Sequence, residues 1–256
     1  MPHPDHSAPV RVTIIAPVVL GEQQLAPAPA VPGLIAEFRS LASGTASIES
    51  RWDDAFAVPG ILDAAIRAEE AGAQAVVIDC MDDPGLDAAR EVVRIPVIGP
   101  AQASMHLALT LADRFSIITT LTADIPVVRE LVEHNRLAHR CASVRGLGLS
   151  PLDLHDDAAA TLDAFVDAAR AAVEIDGAAA IIAGCTQLSG RTEEVAARLA
   201  DEGIEVPVID PLAAALHHAL TLVRLGISHS GVGYPAPAAK QITWPTAGMR
   251  FERSAG

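Results

Sequence analysis

The residues of this chain best suited to chemistry are two cysteines. Cys80 and Cys185 each follow a short strand-like segment, 75–79 and 178–183, and they lie 105 positions apart. A thiol can donate a proton and its thiolate can accept one. The ordinary thiol pKa of about 8.5 falls toward neutrality at a helix N-terminus. Both cysteines precede a turn and then helix-forming sequence, so both are expected to be activated in that way. Two such groups facing one carbon beside a carbonyl could remove a proton from one face and return one to the other. The third thiol, Cys141, has no equivalent elsewhere in the chain and is expected to be a small buried side chain.

The elements that must position the pair repeat. Pro96-Val97-Ile98-Gly99-Pro100 returns 111 positions later as Pro207-Val208-Ile209-Asp210-Pro211. At the same offset Ala103, His106 and the run 108–111 return as Ala214, His217 and 219–222. Each copy opens alike, at 11–15 and 114–118. Before each Pro-Val-Ile segment lies a helix-then-strand unit, 61–71 then 75–79 and 158–175 then 178–183. A lone cysteine at a strand end is commonly just a small apolar filler; two at equivalent repeat positions weaken that reading. The short strands are apolar on both faces, as parallel strands covered on both sides are, and they alternate with Ala/Leu-rich helices.

The predicted fold is therefore α/β, two pseudo-symmetric lobes with parallel sheets and a cleft between them. Residues 1–99 plus 212–256 form the first lobe and 100–211 the second, with crossovers near Gly99-Pro100 and Asp210-Pro211. Gly72 and Gly177 are predicted helix stops and Asp156 or Asp157 a helix cap. Pro59-Gly60 suits the start of the first helix. The segment after Gly231 is expected to be irregular and to run over the surface. In an open parallel sheet, ligands bind outside the carboxyl ends of the strands, which is where both cysteines lie.

Composition narrows the function classes. A net charge of −14 over 256 residues and a pI near 4.9 give a surface that repels phosphate backbones and anionic lipid heads. Aromatic residues make up 3% of the chain, too few for the stacking platforms of single-strand nucleic-acid binders. The expected partner is a small-molecule substrate, with no nucleic acid and no membrane. No apolar run approaches the roughly 20 residues needed to cross a bilayer. The first nine residues do not resemble a signal peptide, which points to the cytoplasm. Three scattered cysteines without a C-x-x-C pair suit neither a disulfide framework nor a zinc site.

Cys80-Met81-Asp82-Asp83-Pro84-Gly85-Leu86 resembles a segment of the aspartate/glutamate/hydantoin racemase superfamily, closest to its hydantoin racemase branch. Residues 115–121, Gly184-Cys185 and Ser47-Ile48-Glu49 add to the resemblance, which spans nearly the whole chain. It implies flavodoxin-like lobes, a homo-oligomer, and Cys80 and Cys185 as catalytic acid/bases of a racemase that needs no metal or organic cofactor. Such an enzyme inverts a carbon alpha to a carbonyl, here of a hydantoin-like or related cyclic amide. Met81, Asp82, Thr119, Thr120, Thr186, Ser47, Pro17 and Val18 would bind the substrate. Other reactions of the superfamily are decarboxylation of a substituted malonate and cis–trans isomerisation of an unsaturated diacid. The decarboxylase carries glycine where Cys80 stands, so two retained thiols favour racemase or isomerase. A non-catalytic two-lobed binding protein is a further alternative.

Departures from the branch concern the substrate. Ala16-Pro17-Val18-Val19 replaces the usual Asn-Pro-Asn-Thr and predicts a more apolar wall, and Ser50-Arg51-Trp52-Asp53 replaces Gly-His-Tyr-Asp. Arg51 could bind a carboxylate or be a solvated loop charge. Asp79, pointing to the opposite strand face from Cys80, is expected in a turn or lobe contact rather than as a third base. Thr186-Gln187, where amino-acid racemases have Thr followed by His or Glu, argues against a free amino acid. His106 and His217 are expected to be partly buried helix residues rather than a metal pair.

Overall fold

The computed structural model describes residues 8–20, 29–151, 154 and 157–239. Among these residues eight strands fall into two four-stranded, wholly parallel sheets. The first holds β1 (Val10–Ala16), β2 (Leu34–Ser40), β3 (Ala75–Ile78) and β4 (Val97–Ile98) in the order β2-β1-β3-β4. The second holds β5 (Phe115–Thr119), β6 (Cys141–Gly146), β7 (Ala180–Ala183) and β8 (Val208–Ile209) in the order β6-β5-β7-β8. Every strand of one sheet thus has a counterpart in the other, as the repeat requires.

The equivalence extends to single bonds. Beyond the last pairs of β1 with β3 and β5 with β7, Asp79 N–H donates to the Ile15 carbonyl (2.8 Å) and Gly184 N–H to that of Ile118 (2.7 Å). The residue after each of these is a cysteine, so the two thiols leave their sheets at matching points.

Among the described residues seven helices cover the sheets: α1 (Arg51–Glu70), α2 (Leu86–Val92), α3 (Pro100–Leu111), α4 (Ile125–His134), α5 (Ala158–Glu174), α6 (Thr192–Asp201) and α7 (Pro211–Leu225). One face of the first sheet meets α1 and α2 through Ile15, Val76, Ile78, Ile61 and Leu86. Its other face meets α7 through Val12, Ile14, Val77, Leu212 and Leu216. The second sheet is covered by α5 and α6 on one side and by α3 and α4 on the other. The helix that follows β4 therefore packs on the second sheet, and the helix that follows β8 packs on the first. These two helices also pack on each other, tying the sheets together. Phe115, Phe165 and nearly all the central strand residues are fully buried. Each such side chain contributes about 1.5–3 kcal/mol to folding before entropy is counted.

Local signals fare unevenly. Gly72 and Gly177 end α1 and α5 in left-handed conformation, φ +85 and +74, where a side chain would be strained. Asp157 caps α5 by accepting the Ala160 N–H at 2.9 Å; Asp156 lies outside the described residues. The segment 231–239 is irregular and exposed, with the Tyr234 hydroxyl held by Arg90, and the chain beyond it lies outside the described residues.

The predicted helix start at Pro59-Gly60 is wrong. The helix begins at Arg51, capped by the Ser50 hydroxyl accepting from Asp53 N–H, and Pro59 lies inside it. The cap and the apolar face made by Ala57, Ile61, Ala65 and Ala68 outweigh the one amide bond that proline removes. Gly60 serves packing rather than a turn, since a Cβ there would lie 2.9 Å from Leu41 Cδ1 and 3.1 Å from the Ser43 carbonyl.

Candidate functional site

Where β1, β3, β5 and β7 end, the two sheets border one cleft of about 410 Å3. Cys80 enters it from the first sheet and Cys185 from the second. All ten residues singled out from the sequence line this cleft: Cys80, Met81, Asp82, Ser47, Pro17 and Val18 from one side, and Thr119, Thr120, Cys185 and Thr186 from the other. Thr119 and Thr120 are buried at the end of β5. Met81 is also largely buried and packs into the core beneath α3, and Ser47 donates to Glu49 Oε1 at 2.7 Å. Ala16, Pro17, Val18, Leu20, Phe38 and Ile48 make one wall apolar, as the 16–19 segment predicts.

Each sulfur accepts a backbone N–H from the residue two positions on, Asp82 for Cys80 and Gln187 for Cys185. These bonds favour the thiolate, but the surroundings oppose it more strongly. Burial, then the charge of Asp82, raises Cys80 well above the usual thiol range; burial pushes Cys185 up to about 12. The expectation of thiols drawn toward neutrality by helix N-termini is therefore not met. The reason is geometric. Helix α2 starts at Leu86, well beyond Cys80, and Cys185 is followed only by the three-residue 3-10 turn Thr186–Leu188. Neither thiol sits on a helix N-terminus.

Of the carboxylates, sequence reasoning named only Asp82 as a cleft residue and missed the others. Asp79, Asp82 and Asp124 line the cleft, and no Lys, Arg or His does so among the described residues. Asp79 is bonded to the Thr186 hydroxyl of the opposite sheet, so it is a lobe contact as expected, but it also borders the cleft. One oxygen each of Asp54 and Asp79 is buried without a partner. Burial above all raises Asp54 to about 7, with the charges of Asp82, Asp53 and Asp124 adding to it. Asp79 and Asp82 rise to about 6, again chiefly through burial. The only sequence cue was the density of Asp around residues 79–83; nothing in the spacing brings Asp54 or Asp124 to the same place.

Other candidates fall away. Arg51 is the first residue of α1, ion-paired with Glu130 at 2.6 Å on the surface, and does not line the cleft. Cys141 is half-buried on β6 and donates to the Ser143 carbonyl. His106 and His217 are exposed rather than partly buried, each holding its own helix carbonyl four residues back. Among the described residues no cluster of His, Cys, Asp or Glu could hold a metal ion, and no helix is long and apolar enough to cross a membrane.

The raised carboxyls make stability depend on pH. A carboxyl whose folded pKa lies above its unfolded value holds more protons in the native state. Its stabilisation is complete below about pH 4 and is lost as pH rises through the folded pKa. Asp54, Asp79, Asp82 and Asp83, at about 6 to 7, all act in that direction. Asp176, held low by its pair with Arg145, loses its contribution only at pH below this range. Within it His218 and His229, lowered chiefly by burial, act oppositely, because the native state binds fewer protons at them. The four carboxyls outweigh these two partly buried imidazoles, so Tm measured by scanning calorimetry is expected to fall on the order of 5 °C between pH 5 and pH 8. Asp54→Asn should flatten that slope; a Tm that rises across the interval contradicts the assignment.

A family model described as Asp/Glu/Hydantoin racemase matches residues 22–219. A hydantoin racemase of Rhizobium meliloti is 38% identical over 196 residues, 76% of this chain and 79% of that protein. A hydantoin racemase of Pseudomonas sp. (strain NS671) is 39% identical over 183 residues, 72% of each chain. Among solved structures, an allantoin racemase from Klebsiella pneumoniae superposes with a TM-score of 0.83 at 30% identity, covering 92% of this chain and 96% of that one.

Proposed function

As the chain belongs to the Asp/Glu/hydantoin racemase family and is an isomerase of the racemase type, we propose that Cys80 and Cys185 are its two acid/bases, acting on an uncharged hydantoin-like or related cyclic amide. The observation that carries the reading is the emergence of the two thiols at equivalent sheet ends on opposite sides of one cleft. One thiolate takes the α-proton from one face of the substrate carbon, leaving an enolate. The opposite thiol then delivers a proton to the other face, and the two exchange roles in the reverse direction. The N–H groups of Asp82 and Gln187 steady whichever sulfur is charged.

Charge selects the substrate class. With Asp79, Asp82 and Asp124 on the walls and no cation among the described lining residues, a dianionic malonate or unsaturated diacid meets repulsion without a counter-charge. A ring bearing N–H donors meets acceptors instead. An apolar ring substituent is served by the wall of Pro17, Val18, Phe38 and Ile48. This favours cyclic amides over the decarboxylase and isomerase alternatives. We also propose a homo-oligomeric working form, as the sequence resemblance implies.

The test is incubation in deuterated water with resolved hydantoins carrying apolar substituents, alongside aryl-substituted malonates and maleate. The expected result is racemisation with solvent deuterium at the ring carbon, and neither carbon dioxide release nor cis–trans conversion. No deuterium at any α-carbon would overturn the proposal, and turnover of the diacids alone would replace it with the other reading.

A further inference from the structure

The two repeats differ at one place where they otherwise agree: Gly99 precedes the proline of α3, and Asp210 precedes that of α7. The structure accounts for this difference. In the second repeat Asp210 caps its own helix, Oδ1 accepting the Ala213 N–H at 3.0 Å. It also reaches the loop after Cys185, where Oδ1 accepts from the Ser189 hydroxyl (2.8 Å) and Oδ2 from the Gly190 N–H (3.0 Å).

In the first repeat the helix has no capping side chain of its own. The carboxylate comes from the other partner, the loop after Cys80: Asp83 Oδ1 accepts the Ala101 N–H at 3.0 Å and Oδ2 the Gln102 N–H at 2.8 Å. Asp83 is buried and holds φ +47, a left-handed conformation that few non-glycine residues adopt. Gly99 must lack a side chain, because a Cβ there would lie 2.3–2.5 Å from the Asp83 carboxyl. The first junction has room for one carboxylate, and the two repeats supply theirs from opposite sides.

We infer that Asp83 and Asp210 are paired positioning residues, each fastening one thiol-bearing loop to the N-terminus of a crossover helix so that the two sulfurs keep their separation across the cleft. The loop of Cys80 leaves the first sheet yet is fastened to α3, which packs on the second. The loop of Cys185 leaves the second sheet yet is fastened to α7, which packs on the first. Because α3 and α7 pack together, each carboxylate references its thiol to the opposite sheet. A loop released from its carboxylate misplaces one sulfur and leaves the other in place.

This rests on the two-thiol reading, and the test separates the two. In-place deuterium exchange, with retention of configuration, is measured for each enantiomer of an accepted substrate. In Cys80→Ser and Cys185→Ser, exchange should be lost for one enantiomer each, and for opposite ones. Asp83→Asn should then depress exchange of the same enantiomer as Cys80→Ser, by about tenfold to a hundredfold, and Asp210→Asn that of the other. Gly99→Ala and Ser189→Ala repeat the test should either Asp variant fail to fold, with Ser189→Ala removing a single hydrogen bond. Equal loss for both enantiomers in the Asp variants, or no loss, overturns the positioning role. Cysteine variants without one-sided exchange overturn the two-thiol reading and this inference with it.

Discussion

Serine in place of either Cys80 or Cys185 is expected to reduce racemisation of both enantiomers by about a hundredfold to ten-thousandfold, as the loss of a general acid or base commonly does. A hydroxyl is nearly the same size as a thiol, so the cleft is kept. It ionises far less readily, and the site already disfavours negative charge through burial and the carboxylates around it. Racemisation needs both faces of the substrate carbon, so one defective group stops conversion in either direction. Polarimetry on a resolved hydantoin follows the loss directly. Full racemisation surviving either substitution removes that residue from the mechanism. Cys141→Ser is the internal control and should leave the rate unchanged, because that sulfur lies on β6 away from the cleft.

Gly184→Ala is expected to destabilise the protein by about 1–3 kcal/mol through overpacking, with a fall in Tm of several degrees, and to reduce racemisation as well. A Cβ at this position would lie 2.7 Å from the Ile118 carbonyl oxygen and 2.8 Å from Thr119 Cα, both rigid backbone atoms. Relief requires β7 to move away from β5, which stretches the 2.7 Å bond from Gly184 N–H to Ile118. Cys185 is the next residue and must move too. Thermal unfolding and turnover of the same variant check both parts; an unchanged Tm contradicts the close approach. The equivalent place in the first repeat is Asp79, where a side chain is present and reaches Thr186 across the cleft. The repeats are equivalent in backbone and unequal in side chains at the very residue before each thiol.

Much of the scaffold is legible in the sequence. The recurrence of Pro-Val-Ile-x-Pro, Ala103 with Ala214 and His106 with His217 is a local pattern, and it fixes which elements correspond. The apolar runs before Cys80 and Cys185 mark buried parallel strands, because a strand covered on both faces has no polar side to display. Gly72 and Gly177 mark helix ends for a reason intrinsic to glycine. Pro59 misled for a similar reason. Its local preference for a helix start was overridden by the Ser50 cap and by the packing of α1 along its whole length, which the dipeptide Pro59-Gly60 does not record.

The sequence alone therefore determined that two cysteines occupy equivalent strand ends in a repeated α/β chain, since repeat position and strand burial are written in neighbouring residues. Only the tertiary structure decided what surrounds them. Asp54 and Asp124 reach the cleft region from α1 and the turn before α4, and Asp79 meets Thr186 from the other sheet. Burial there turns the thiols and their carboxylate neighbours toward their protonated forms. The exchange of Asp83 and Asp210 between loop and helix is likewise a property of packed junctions. Charge and burial at a site sum over every element that converges on it, and spacing along one segment carries no record of that sum.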